Sequence, residues 1–326
     1  MASLDAGDKP TVKIACFPFN DPKSDLIIRS SDKVYFYVHK SLLSIVSPVF
    51  EGMFALPDDT SQETYDNRPC VPVNDDSSHL FCLLSWCDPR CKRPLPTLNN
   101  LAMALQMADK YDMTSVFAHA RKDLSAYDIV DSECLRVFAI AIRFELDDVQ
   151  QEAARATLNV ALGRYNPPEL KYIPASALQN LLRYHYRCKL AVRILLQSDK
   201  WLQIITFAAE HLTEGERHTH GAEYFKSIRL LLGDGEILWV PGGRTAPWWS
   251  KYLSSMVYIL NERPSVLPPS EVEGIKRIIS LDKCNQCSKY GYERLGQVSR
   301  LFASLVNEAI SEVRKHYLSF WVMIQH

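Results

Sequence analysis

The sequence predicts an α/β (α+β) N-terminal domain, a small sheet flanked by helices, followed by a mainly α-helical C-terminal region. Three observations carry this prediction. Asp25 to Val38 holds a short apolar run, Leu26-Ile27-Ile28, and then the alternation of Val34, Phe36 and Val38 with Tyr35 and Tyr37, which is the period of a strand. At His39 the period changes to three and four residues. Beyond Asp131, about 70 residues show helical periodicity alone.

Taken in order, the polar residues Arg29 to Lys33 supply the turn of a β-hairpin over residues 25–38. The tyrosines of that hairpin either line a partly exposed face or pack beneath a later element. Leu42, Leu43, Val46, Val49, Phe50, Met53 and Phe54 then form a helical stripe. Pro48 prevents one smooth helix, whereas Ser47 suits an N-cap and Pro48 a first helical position, so two short consecutive helices are expected. Pro57 to Pro69 is polar and turn-rich and reads as a mobile loop. Cys70 to Val73 is a short strand, Asp75 to Ser78 caps a helix through Trp86, and Thr97 caps another through Tyr111. Val116 to Leu124 continues as helix.

In the second half, Leu135, Phe138 and Ile142 mark one helix and Val149, Ala153, Ala156 and Val160 the next. A third centres on Leu178, Leu181 and Leu182, and a fourth passes through Val192 and Leu195 to Trp201. Short helices with brief connections imply antiparallel hairpins. Residues 233–270 are rich in Gly and Pro but hold Trp239, Trp248 and Trp249, which indicates an irregular packed segment rather than a linker. A last helix is expected from about Tyr292 to Val322.

Composition narrows the function. With 37 Lys and Arg against 38 Asp and Glu, the formal net charge of -1 gives no basic excess for a direct nucleic-acid partner. No apolar stretch reaches the ~18 residues of a membrane span. The first residues carry Asp5 and Asp8 and lack the pattern of a secretory signal, so the nine cysteines are read as reduced thiols of an intracellular protein, in cytoplasm or nucleus.

The chemical motifs are sparse. Cys284 and Cys287 have the spacing of two zinc ligands, but a structural zinc takes four, and His218 and His220 or Cys82, Cys87 and Cys91 would have to converge on them. Cys82 sits on an apolar helix face, where cysteine behaves as a small hydrophobe. No phosphate loop, nucleophile elbow or dinucleotide fingerprint is present. The carboxylate pairs Asp75-Asp76 and Asp147-Asp148 stand at helix starts, where the dipole favours them. No catalytic residue, cofactor or metal is therefore expected. The alternative is an enzyme or zinc-dependent protein built on the C-terminal Cys and His residues.

The stretch D25-L-I-I-R-S-S-D-K-V-Y-F-Y-V-H39-K40, continued by S41-L-L-S-I-V-S-P-V-F-E-G-M53-F54, resembles the opening of a BTB/POZ domain. V71-P-V-N-D-D-S and A108-D-K-Y-D-M113 look like its later strand–helix junction and its penultimate helix. L135-R-V-F-A-I-A-I-R-F-E-L and L181-L-R-Y-H-Y-R-C188, with W248-W249 and C284-N-Q-C287, resemble the helical extension of BTB proteins from mushroom-forming (basidiomycete) fungi. The resemblance implies an N-terminal tail over residues 1–20, a BTB/POZ-like domain over 21–125, a BACK-like helical extension over 126–202 and a C-terminal helical region over 203–326.

It further implies a protein-interaction scaffold or adaptor. Partners of that kind are a cullin-type ubiquitin ligase or a transcriptional cofactor. No kelch, zinc-finger or ankyrin repeat follows to choose between them. Asp25 and Lys40 match an acid and a base that form a charged pocket beside the family's dimer groove, while the plainer reading is a strand-end acid and a solvated lysine. His39, Met53 and Phe54 complete the expected partner or dimer surface, although apolar residues placed like the last two more often belong to a core. The family's swapped dimers use an N-terminal strand and helix. The residues before Asp25 contain Pro10, Pro18 and Pro22 without helical periodicity, so a monomer or weak homodimer is expected.

Overall fold

In the computed structural model the alternation at the start of the chain becomes an antiparallel pair, β2 (Leu26–Arg29) and β3 (Val34–Val38), with Leu26 opposite Val38 and Arg29 opposite Tyr35. Residues 13–55, 63–200, 223–224, 227–231, 237–241, 244–245, 247–265 and 299–315 are described. The turn closes through Ser30, whose hydroxyl accepts the Val34 N–H at 2.8 Å. Period 2 then sorts the side chains. Leu26, Ile28, Val34, Phe36 and Val38 enter the main core, and Ile27 and Tyr37 face the other way.

The chain divides into two compact units, Met1–Asp128 and Ile129–His326. In the first, the five-stranded sheet has the order β1-β3-β2-β5-β4. Its additional members are β1 (Lys13–Ile14), parallel to β3, and the hairpin β4 (Thr64–Tyr65) and β5 (Arg68–Pro72), with β5 parallel to β2. The β4–β5 hairpin corrects the reading of residues 57–69 as a loop over its later part; residues 57–62 lie outside the described residues. Asp66 and Asn67 take φ of 53° and 57°, the left-handed pair that a two-residue hairpin turn demands and that Asp and Asn tolerate. The hairpin extends the sheet at its β2 edge, and on the face away from the helices Tyr35 lies 4.7 Å from Tyr65 and Tyr37 packs with Cys70. The tyrosines thus share that face with side chains of the later strands.

Helices close the other face. α1 (Lys40–Val46) and α2 (Pro48–Ala55) are separated at Ser47, α3 (Ser77–Cys87) begins at the Asp76 cap, and α4 (Leu98–Lys110) begins at Thr97. α5 (Thr114–Ser125) ends the unit. Phe36, Phe50, Leu43, Leu80, Leu83, Met107 and Met113 meet in one buried cluster between sheet and helices.

The second unit opens with α6 (Cys134–Arg143) and α7 (Asp147–Ala156), which pack on each other. Three short 3-10 turns lead to α8 (Ala175–Leu196). Here the expected third and fourth helices are one. No Pro or Gly interrupts residues 175–196, so nothing stops the backbone ladder. Arg136 on α6 donates to Glu169 at 2.6 Å and fixes the turn at Pro168–Tyr172. The buried His185 Nε2 lies 2.9 Å from the Thr157 hydroxyl, which donates to the Ala154 carbonyl. The imidazole is therefore the donor between them.

The expected irregular segment is partly ordered as strands. β7 (Ser227–Leu231) pairs antiparallel with β8 (Ile237–Pro241), and β6 (Glu223–Tyr224) with β9 (Arg244–Thr245). Trp239 belongs to β8, and Trp248 and Trp249 to the first turn of α9 (Pro247–Glu262). Residues 299–315 form α10, and the outer ends of the expected 292–322 helix lie outside the described residues. Among the described residues no helix is long and apolar enough to cross a membrane.

Candidate functional site

The sequence-predicted surface residues gather around the start of α1 and the end of α2. Ser47, fully buried between the two helices, accepts the Phe50 N–H at 3.1 Å and donates to the Tyr111 carbonyl at 2.5 Å. That pair of bonds seats α2 against the end of α4. Phe50 then stacks on Tyr111 at 4.5 Å with planes 4° apart, and Phe54 stacks on Phe50 at 5.8 Å. The Lys40 ammonium stands 5.6 Å from the Phe54 centroid, within cation–π range. At the far end the Tyr111 hydroxyl donates to Asp75 at 2.6 Å, and Lys110 pairs with the same carboxylate. One ladder of rings thus joins two lysines across three helices. Burial, and then Asp75, pushes the Tyr111 hydroxyl above its ordinary value, so it remains a donor.

Asp25 and Lys40 meet, but through the backbone. The Asp25 carboxylate accepts the Lys40 N–H at 2.8 Å, supplying the first turn of α1 with the acceptor that its own N-cap, His39, does not provide. Half-buried His39 lies near Asp21 and Asp88, which share Arg90 at 2.7 Å each. The Lys23 N–H chiefly holds the Asp21 carboxyl below its ordinary range, with Arg90 adding to it, and Arg90 does the same for Asp88. Met53 and Phe54 are half-buried and pack against the main core.

Two apolar residues complete this surface that the sequence did not assign to it. Ile45 on α1 is 82% exposed and Val49 on α2 is 38% exposed. Val49 reads in sequence as part of the core stripe, but the break at Ser47 turns it outward. Ile45 carried a usable signal, since it is an apolar residue off the stripe.

The other chemical groups are accounted for by packing. Asp76 caps α3 and is held well below the carboxylate range by the Ser78 hydroxyl and then the His79 N–H. Burial pushes the Cys82 thiol up to about 11 and Cys87 up to about 12, so both stay protonated and pack as apolar groups. Among the described residues no three His, Cys, Asp or Glu side chains are placed to hold a metal. Cys284, Cys287, His218 and His220 lie outside the described residues.

A sheet closed by paired helices is the fold of the segment that the family comparison identifies: residues 19–128 match the BTB/POZ domain. This part of the chain is a BTB/POZ domain. No curated protein matches the chain. The BTB/POZ domain is in general a protein-interaction module. Its N-terminal end also corrects the sequence reading, which placed no strand before Asp25. β1 is two residues long, too short for any periodicity to reveal, and it is hydrogen-bonded in parallel to β3 of the same chain.

Proposed function

We propose that the chain is a non-enzymatic scaffold or adaptor whose BTB/POZ domain binds other proteins through the α1–α2 surface. The observation that carries this reading is the exposure of Ile45 and Val49 on the same two helices that bear Lys40 and Phe54. Apolar side chains left exposed on two consecutive helices offer a partner area to bury. Asp25, His39, Lys40, Met53 and Phe54 belong to this surface in our reading, Asp25 by holding α1 in place. The charged pocket suggested by the family would then be a helix cap rather than an ion pair.

The role of such an adaptor is ubiquitin-ligase recruitment through a cullin-type ligase, or transcriptional regulation through a cofactor. An intracellular setting and a likeness to BTB proteins of mushroom-forming fungi are part of the same proposal. For self-association we favour a monomer or weak homodimer. The direct test captures partners from a native lysate on the full chain and on an Ile45→Asp variant. Partners lost selectively with the variant support the reading; an unchanged set, or no partner, overturns it. The rival is a zinc-dependent protein or enzyme using Cys284 and Cys287, and stoichiometric zinc by elemental analysis would favour it.

A further inference from the structure

A helix on a domain surface normally turns polar residues outward. α8 does not. Leu182, Tyr186, Leu190 and Ile194 are 51%, 66%, 43% and 60% exposed, although Leu181, Tyr184, Cys188, Val192 and Leu195 anchor the opposite side of the helix in the second unit. The four exposed residues recur every fourth position and so form one continuous ridge, about 18 Å long at the helical rise. α8 also carries Arg183, Arg187, Lys189 and Arg193 and no Asp or Glu. Arg183 and Arg187 are exposed beside the ridge. Arg193 is engaged with Asn261 at 3.1 Å.

We propose that this face of α8 docks an amphipathic helix of a partner protein, with apolar residues at four-residue spacing flanked by Asp and Glu. A ridge of this spacing is the element that fits the groove of a second helix. With four cations and no carboxylate on the helix itself, α8 favours acidic residues alongside. That charge also argues against a second copy of this chain, because pairing α8 with itself would set Arg183 and Arg187 against like charges. An anionic bilayer shares the charge preference, but an interfacial helix sinks its apolar face about 5–10 Å deep. Leu190 and Leu182 are only about half exposed, set among neighbours rather than projecting. The site lies in the second unit and is independent of the BTB/POZ reading.

The test uses the full chain and a labelled synthetic helix of about 18 residues, five turns, with Leu every fourth position and Glu on both flanks. A scrambled peptide of the same composition and vesicles of phosphatidylcholine with phosphatidylserine serve as comparisons. We expect saturable binding to the ordered peptide, weaker in salt, and at least about tenfold tighter than to the scrambled one. Tyr186→Ala combined with Ile194→Ala should weaken it by about tenfold or more. Arg183→Glu, at an exposed position, should weaken it too and favour a peptide with Lys in place of Glu. Equal binding of both peptides, no saturable binding, or indifference to all three substitutions overturns the proposal. So does binding to the vesicles alone, or a fall in the mass of the free chain when Tyr186 is replaced.

Discussion

The Asp25 carboxylate reaches across 15 residues of sequence to accept the backbone N–H of Lys40 at 2.8 Å, so the acid at the start of the first long strand caps the first helix. Its value lies in position rather than in pairing with the lysine side chain. Asp25→Ala should lower unfolding free energy by about 1 kcal/mol, and Asp25→Asn by much less, because Asn retains an acceptor. Lys40→Ala should leave stability nearly unchanged. Urea titrations of the three variants separate a cap from an ion pair: equal losses for Asp25→Ala and Lys40→Ala would refute the cap.

The Ser47 hydroxyl joins two buried backbone groups from different helices. Ser47→Ala leaves the buried Phe50 N–H and the Tyr111 carbonyl without their partner, at a cost of about 1–3 kcal/mol. Ser47→Thr keeps the hydroxyl and should recover part of the loss. Thermal unfolding followed by near-UV signal from the Phe50–Tyr111 stack reads both.

His185 makes the chain sensitive to acid. Burial, and then the neighbouring Lys189, lowers its imidazole to about 3 from an ordinary 6.5. Because the folded state disfavours the charged form, its contribution is complete above the unfolded value and declines as pH falls below it. The slope approaches about 1.4 kcal/mol per pH unit, or about 2 kcal/mol between neutral pH and pH 5. His185→Gln removes the titration and keeps a donor for Thr157, so its stability should change less with pH over that range. Parallel slopes for the two proteins would contradict this account.

Ile45→Asp is expected to leave the melting temperature unchanged, since the side chain is 82% exposed, while reducing self-association or partner capture. Light scattering over a concentration series supplies the first reading. A constant mass in both proteins together with unchanged capture would remove Ile45 from the surface.

What could be read from the sequence was whatever follows from local periodicity and local hydrogen bonding. The β2–β3 hairpin, the break at Ser47-Pro48 and the caps at Asp76 and Thr97 each depend on residues within one turn of themselves. β1 and β4 escaped because two residues hold no period, and the Asp66-Asn67 turn was hidden in a polar stretch. Residues 175–196 carry two apolar clusters that read as separate helices, although nothing between them breaks one. At the candidate site, the proximity of Asp25 to Lys40 was legible only by resemblance. The ring ladder from Phe54 to Tyr111 joins residues 57 positions apart, and no spacing rule announces it.

The sheet of the BTB/POZ domain has a further bearing on how it is met by other molecules. Among the described residues its outermost strands, β1 and β4, are two residues each, and both already spend hydrogen bonds on the strand inside them. An incoming chain that sought to extend the sheet would find almost no free rungs, which is also how folded proteins resist edge-to-edge sticking. On the proposal that the domain binds through its α1–α2 surface, recognition would fall to shape and side chains on its helices, where single exposed residues can be changed without disturbing the fold that presents them.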